Sequence, residues 1–164
     1  LFAKKADAGA QGGGAAGDAD KAAAAVSAVS GEQILKAIVD AAKDGREKTG
    51  EKAEDAKNPI EAAIGSTGAQ NAAAFAKDEM KKDDQIAAAM VLRGMAQGGQ
   101  FALTNGDHAN HAKAVKNVVE SAVTKTVGAL TNLVRKTVQA GLKKVGDVVK
   151  ADSSKEAPSS ASDK

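Results

Sequence analysis

The longest uninterrupted apolar run in the chain is residues 86–92 (IAAAMVL), which lies between a charged run and a pair of glycines. Seven consecutive helical residues reach every side of the helix axis, so a helix that is apolar all round has to be enclosed by other elements. The pattern predicts a buried central helix over about residues 84–97. Its accessible parts are predicted to be the charged entrance at residues 81–84 and the exit at residues 97–100.

Further helices are predicted before this central helix. Asp18 or Asp20 can cap a helix that runs to about residue 29, and Ser30 with Gln33 fits a capping box that opens a second helix to about residue 43. The alternative is one continuous helix through Gly31. Asn58-Pro59 is typical of a helix start.

The helix that begins at Pro59 is expected to end near Ile64. Another is predicted from about residue 69 to residue 81, with Phe75 as its only large apolar side chain. Residues 98–103 are expected to turn the chain and to fold Phe101 and Leu103 back onto the bundle.

From about residue 108 to residue 150 the apolar positions step by three or four, which predicts one long amphipathic helix. The helix is rich in Val and Thr and has low intrinsic propensity, so we expect it to need packing partners. Its apolar steps average above 3.5 residues, so a sustained coiled-coil heptad is not clear. The fold class predicted is all-α, an elongated helical bundle with long variable loops. We predict a single helical domain over residues 1–150 and a disordered tail at residues 151–164.

The connections between the helices are Gly-rich or polar, and we expect them to be exposed. Residues 1–20 are predicted to be a flexible segment or loop. The other polar connections are residues 44–57, 65–70 and 104–110.

Composition limits the classes of function. Lys and Arg number 23 against 21 Asp and Glu, so no basic field is available for nucleic acid. Three Phe without Trp or Tyr argue against base stacking and ring-lined grooves. The lack of Cys excludes a thiolate metal site and a thiol nucleophile in this sequence. No apolar run approaches the ~20 residues that a membrane-spanning helix needs. Because the sequence starts at Leu1, we expect a fragment or a processed product.

Three patterns could carry chemistry, and each has a plainer interpretation that we favour. Gly12, Gly14 and Gly17 match a dinucleotide-binding spacing, but no strand precedes them, which favours a loop. Asp107, His108 and His111 could bind a metal, but exposed histidines near a helix start are favoured. The carboxylates of a third cluster alternate with lysines, which favours a salt-bridged surface. These carboxylates belong to Asp78, Glu79, Asp83 and Asp84.

Two further features are interpreted as structural. Arg93, within the apolar helix, is predicted to be either a buried, paired charge or a side chain that extends to the rim. Met80, Met90 and Met95 are interpreted as core filler. No catalytic constellation or cofactor motif is present in the sequence, so we predict that the protein is not an enzyme.

Residues 80–96 (MKKDDQIAAAMVLRGMA) closely resemble the invariable sixth region of the VlsE/Vmp-like variable large surface lipoprotein family of Borrelia. Similar blocks follow in order elsewhere, among them AVSAVSGEQILKAIVDAA at residues 25–42, KNPIEAAIG at 57–65, ESAVTKTVGAL at 120–130 and GLKKVGDVVKA at 141–151. The resemblance therefore covers most of the chain. The residues it singles out, as an invariable structural and antigenic segment, are Met80, Lys81, Lys82, Asp83, Asp84, Gln85, Ile86, Met90, Leu92, Arg93 and Met95.

The resemblance implies a lipoprotein on the extracellular face of the outer membrane, held by an N-terminal lipid anchor outside this sequence. Its implied role is antigenic variation by recombination of silent cassettes, with host antibodies as partners. The cassette-like region would extend to about residue 111, and a constant C-terminal helix would follow over about residues 112–150. The alternative is a helical adhesin that binds a host protein or a glycosaminoglycan. The oligomeric state is left open.

Overall fold

The computed structural model describes residues 1–2, 14, 16–43, 45–65, 74–103 and 108–154. These residues form five α-helices and one turn of 3-10 helix, at Asp78–Lys81. The helices are α1 (Ala16–Ala28), α2 (Gly31–Ala42), α3 (Pro59–Ile64), α4 (Asp83–Met95) and α5 (His108–Ser153). Within the described residues, the β-type pairing is an isolated bridge between Gly14 and Leu103. The predicted all-α class is confirmed. The chain divides into two compact units, residues 1–130 and 131–164.

Two helix starts follow the caps that the sequence predicts. Ser30 Oγ accepts a hydrogen bond from Gln33 N at 3.3 Å, and Ser30 N donates to Gln33 Oε1 at 2.8 Å. Asn58 Oδ1 accepts from the amides of Ile60 and Glu61 at 3.1 and 3.0 Å. These side chains satisfy amide groups that have no partner inside their helices.

The helices α1 and α2 are separate and bend by 103° at their junction, so the continuous-helix alternative is wrong. Across the described ranges, no single helix is both long and apolar enough to cross a membrane. The bent pair formed by residues 17–28 and 31–42 is long and apolar enough to cross a membrane only when both helices are counted together.

The core of the first unit is organised around α4, which packs against α1, α2 and α3. Alanine is the commonest buried residue of this core, and its small side chain allows helix backbones to approach closely. The largest fully buried side chains are Ile34, Met80, Met90, Val91 and Pro59. Many small contacts, and few large ones, therefore hold the helices together.

The α1–α2 junction is fixed by Lys125 of α5. Its ammonium group donates hydrogen bonds to the carbonyl oxygens of Val26, Ser27 and Val29 at 2.6, 3.4 and 2.9 Å. The last carbonyls of a helix lack helical partners and carry negative partial charge, so a lysine there is stabilising. The first residue of α2 lies against the same part of α5. A Cβ atom on Gly31 would be only 2.0 Å from the carbonyl oxygen of Lys125.

The prediction of a helix over residues 69–81 is wrong for residues 74–81, the part that the structure describes. Residues 74–77 are not helical, and Asp78–Lys81 is a 3-10 turn; residues 66–73 lie outside the described residues. The reason is the packing of Phe75, whose ring centroid lies 5.4 Å from that of Phe2. Tertiary packing of an aromatic ring here outweighs the helix propensity of the surrounding alanines.

The predicted connections have mixed outcomes. Residues 45–57 are not helical and are mostly exposed, as expected, but Ala56 is fully buried, and Glu51 N donates to Glu61 O at 3.1 Å. This connection is therefore fixed to α3 by its own backbone. The predicted folding back of the chain after α4 is confirmed, because Leu103 is buried and Phe101 is partly buried against the core. The loop predicted over residues 1–20 is wrong for residues 16–20, which belong to α1, and the connection predicted over residues 104–110 is wrong for residues 108–110, which begin α5. Residues 3–13, 15, 44, 66–73 and 104–107 lie outside the described residues.

In the second unit the chain forms the last part of α5. The predicted long helix is confirmed, and it extends to Ser153, so the predicted disorder is wrong for residues 151–153. Residues 155–164 of the predicted tail lie outside the described residues. Seven large apolar side chains in this part of the helix are exposed to solvent. They are Leu133, Val134, Val138, Leu142, Val145, Val148 and Val149.

Candidate functional site

The candidate site is α4 with its two ends, and its entrance is a charged surface. Met80 is fully buried, whereas Lys81, Lys82 and Asp83 are exposed. Lys81 Nζ pairs with Asp78 Oδ1 at 2.8 Å, and this hydrogen bond lowers the pKa of Asp78. Exposed pairs of this kind contribute little to stability, so the entrance is a solvated face fixed to the core by Met80. This agrees with the salt-bridged interpretation of the acidic cluster.

The middle of α4 is enclosed, as predicted. Residues 87–91 are at most 2% exposed, so a side chain of different size or polarity at these positions would disturb the core. Ile86 and Leu92, at the two ends of the apolar run, are only partly buried. The enclosed part of the helix is therefore shorter than the apolar run.

The exit of α4 is an exposed turn. Gln97, Gly98, Gly99 and Gln100 are all exposed, as predicted, and Gly98 has a φ of +71° that favours glycine. Met95 is 62% exposed, so its interpretation as core filler is wrong. Met95 is the last residue of α4 and lies on the exposed side of the helix. Met80 and Met90 are buried, which confirms that interpretation for both.

Arg93 is the buried charge of the site and not a side chain at the rim. It is 7% exposed, and its Nη1 donates a hydrogen bond to the carbonyl oxygen of Phe2. The guanidinium carbon lies 5.8 Å from the ring centroid of Phe2 and 6.0 Å from that of Phe101, within the range of cation–π attraction. Burial lowers the pKa of Arg93, but a guanidinium with so high an ordinary pKa keeps its proton.

Arg93 holds segments that are distant in sequence against α4. Ala102 N donates to Leu1 O at 2.9 Å, and Gly14 N donates to Ala102 O at 2.8 Å. Residues 1–2, 14 and 101–103 therefore meet beside the guanidinium group. The arrangement gives Arg93 a structural role, as the sequence predicts.

A cleft of about 370 Å³ lies beside these rings. Its lining combines apolar side chains, among them Phe2, Phe75 and Ile86, with three charged ones. The charged lining residues are Asp18, Lys21 and Lys81. None of the ten lining residues is a Ser, Thr, Cys or His, so this lining supplies no hydroxyl or thiol nucleophile and no imidazole base.

The structure separates the other candidate residues. Gly14 pairs with residues 102–103, and Gly17 lies within α1, so the loop interpretation of this glycine pattern is wrong for Gly17. Gly12 lies outside the described residues. His111 is partly buried, not exposed as predicted, and its Nδ1 has no hydrogen-bond partner among the described residues. Asp107 and the side chain of His108 lie outside the described residues. Among those described, no three His, Cys, Asp or Glu side chains come together as a metal site.

Sequence reasoning missed Lys125. The sequence holds a signal for it, because Lys125 lies three residues after Ala122, a position of the predicted apolar face. The structure confirms that Ala122 is buried, together with Ala129 four residues after Lys125. A lysine on the buried face of a helix needs a set of acceptors. The sequence does not show that these acceptors are the carbonyls at the end of α1, about a hundred residues away.

The fold and the site define a helical protein whose small-residue core carries charged and polar outer surfaces. A family described as Borrelia lipoprotein matches residues 1–149. Variable large protein 4 of Borrelia hermsii is 36% identical over 129 residues, which cover 79% of this chain and 36% of the relative. Variable large protein 25 of the same organism is 38% identical over 133 residues, which cover 80% of this chain and 35% of the relative.

Among solved structures, the Lyme disease variable surface antigen VlsE of Borrelia burgdorferi matches with a TM-score of 0.77 and 51% identity. The match covers 90% of this chain and 56% of that chain. The chain belongs to the Borrelia lipoprotein family, and the resemblance seen in the sequence is confirmed. It spans about a third of the length of the curated relatives that it matches.

Proposed function

We propose that this chain is part of a surface-exposed lipoprotein antigen of the Borrelia outer membrane, whose sequence variation evades the host antibody response. In the longer protein a lipid anchor would hold it on the extracellular face, and host antibodies would be its partners. The names of the relatives, variable large protein and variable surface antigen, support this proposal. It requires no catalysis by the chain.

The observation that carries the proposal is the separation of a closed core from replaceable surfaces. Residues 87–91 are at most 2% exposed, whereas the exit at residues 97–100 and most of residues 45–55 are exposed. Surface substitutions usually change stability by less than ~0.5 kcal/mol, but core substitutions cost several times more. New side chains on these connections would change the surface that antibodies contact and leave the bundle folded.

Serial sampling tests this proposal. The corresponding gene is sequenced in bacteria recovered at intervals from one infected host, and sera from the same host are tested against each variant. We expect substitutions to concentrate in exposed connections, and early sera to bind later variants less well. Equal substitution in residues 87–91, or undiminished binding by early sera, would contradict the proposal.

The alternative function, an adhesin for a glycosaminoglycan, has one observation in its favour. Residues 131–150 carry five basic side chains and one acidic side chain, and all of them are exposed. A basic surface of this kind binds polyanions in a salt-dependent way. Retention on immobilised heparin that falls as salt rises would support this alternative, and no retention at low salt would remove it.

A further inference from the structure

The three phenylalanines of the chain, its only aromatic residues, form one cluster beside the last turn of α4. The ring of Phe2 is shared by the other two, because its centroid lies 5.4 Å from that of Phe75 and 5.9 Å from that of Phe101. The guanidinium carbon of Arg93 lies 5.8 Å from the centroid of the same ring. Phe2 is therefore the common partner of α4, of the segment before it and of the segment after it.

The main chain beside Phe2 is bound as well. The carbonyl oxygen of Phe2 accepts a hydrogen bond from Arg93 Nη1, and that of Leu1 accepts one from Ala102 N at 2.9 Å. We call residues 1–2 the N-terminal strap, because they join the end of α4 to the segment that follows it. Beside the strap, Ala102 is fully buried and Leu103 is 7% exposed.

The N-terminal strap lies at the edge of the core. Leu1 and Phe2 both line the cleft of about 370 Å³. The middle of α4, residues 87–91, is enclosed by other elements, because α4 packs against α1, α2 and α3. Departure of the strap would therefore leave these helix contacts in place. Segments at the edge of a core can open in this way without global unfolding.

The charge of Arg93 opposes the closed position of the strap. Arg93 is buried there, and burial lowers its pKa because the charged form is desolvated. Desolvation of a charge disfavours burial, whereas the hydrogen bond to Phe2 and the ring contacts favour it. When the strap is open, water hydrates the guanidinium group again. The two positions therefore differ by less free energy than an apolar contact of the same size would provide.

We propose that the N-terminal strap opens and closes the C-terminal end of α4 while the bundle stays folded. In the closed state the strap covers Arg93, Ala102 and Leu103. In the open state water reaches these three residues, and residues 87–91 remain enclosed by α1, α2 and α3. Anything that binds or pulls the open strap favours the open state, because it acts on one of the two states only. The proposal is independent of antigenic variation.

Native-state hydrogen exchange of the unmodified 164-residue chain tests the proposal. The exchange of single amides is followed at urea concentrations below the unfolding midpoint. The amide of Ala102, which donates to Leu1 O, should exchange through an opening that depends little on urea, because that opening exposes little surface. Without urea, the amides of residues 87–91 should exchange at least ~100-fold more slowly, and their opening should depend on urea as strongly as global unfolding does.

Two cysteine reporters measure the same opening, because the chain has no Cys of its own. Leu103→Cys places a thiol beside the strap, and Val91→Cys places one in the enclosed middle of α4. The rate of reaction with an excess of dithionitrobenzoate reports how often each thiol becomes exposed. We expect the thiol at position 103 to react faster than the thiol at position 91.

Two truncations of buried side chains separate local opening from global unfolding. Ile34→Ala, in α2, lowers the stability of the bundle and should raise the rate at position 91 by at least ~30-fold. It should change the rate at position 103 by less than about threefold, because the strap opens while α2 stays packed. Phe2→Ala weakens the closed state and should raise the rate at position 103 by at least about tenfold.

Three results would overturn the proposal. The first is an Ala102 amide whose exchange depends on urea as strongly as that of residues 87–91, since the strap would then open only with global unfolding. The second is an equal increase at both thiols in Ile34→Ala, which has the same meaning. The third is an unchanged rate at position 103 in Phe2→Ala, because the strap would then not cover this residue. The exchange experiment needs no substitution, so it decides alone if a variant fails to fold.

Discussion

Gly31→Ala is the most informative single substitution in this structure. Gly31 is the first residue of α2 and is buried against α5. An added Cβ atom would lie 2.0 Å from the carbonyl oxygen of Lys125 and 2.7 Å from the Cβ atom of Ala129. The first of these neighbours is backbone of a long helix, so no side-chain rotation can relieve the contact. One helix would have to move by more than ~1 Å to restore ordinary packing.

The expected cost follows from three effects. Overpacking of a filled interior costs ~1–3 kcal/mol. The displacement also weakens the hydrogen bonds from the Lys125 ammonium to the end of α1, and bonds from a charged donor contribute ~1.5–3 kcal/mol. The gain in helix propensity from Gly to Ala, at most ~1 kcal/mol, acts in the opposite direction. We therefore expect a net loss of about 2–4 kcal/mol, which lowers Tm by roughly 5–15 °C in a chain of this size.

Urea and thermal unfolding, followed by circular dichroism at 222 nm, measure this loss. Gly128→Ala is the matched control, because Gly128 is an exposed glycine of α5 with no heavy atom within 4 Å of an added Cβ atom. This control should gain ~0.5–1 kcal/mol from helix propensity alone. The reasoning about close approach is refuted if Gly31→Ala unfolds at the wild-type midpoint or above it. An equal loss in both variants would assign the effect to glycine replacement in general.

Three more predictions concern the core and the ends of α4. Met90→Ala should lower the free energy of unfolding by ~2–5 kcal/mol because it leaves a buried cavity, whereas Met95→Ala, at an exposed position, should change it by less than ~0.5 kcal/mol. The urea midpoints of the two variants are compared, and similar losses would contradict the burial pattern. Lys125→Met keeps the alkyl stem but removes the donor for three carbonyls, so we expect the free energy of unfolding to fall by ~1–3 kcal/mol in the same assay. An unchanged midpoint would show that water replaces the ammonium group. Amide hydrogen exchange should be much slower in residues 87–91 than in residues 97–100, and equal protection would refute the distinction between closed core and exposed exit.

The sequence predicted best those features that depend on neighbours in the chain. Ser30 and Asn58 cap their helices through amides two or three residues away, so the pattern contains all the participants. The apolar run of α4 likewise predicted its own enclosure. The helix expected around Phe75 failed because its outcome depends on Phe2, more than 70 residues away in sequence. Local propensity carries no information about such a partner.

The periodic pattern also identified faces without identifying what covers them. Met90 and Met95 look alike in sequence, but only Met90 lies where other helices surround α4. The stripe of α5 is covered at Val115, Val118 and Ala122, and exposed at Val138 and Leu142, although its spacing changes little. For the candidate site, the exposed entrance and exit were predictable from their polarity. The contact between Arg93 and Phe2 was not, because it joins the side chain of one segment to the backbone of another.

The contacts of Lys125 have a consequence for how the chain can change over generations. All three of its acceptors are peptide oxygens, which every amino acid provides. A side chain at Ser27 can therefore be exchanged for another without altering what Lys125 recognises, provided that α1 ends at the same place. Lys125 lies in the region that the family resemblance predicts to be constant, and its acceptors lie in the region predicted to be exchanged. This one contact of α5 therefore places no requirement on which side chains stand at the end of α1.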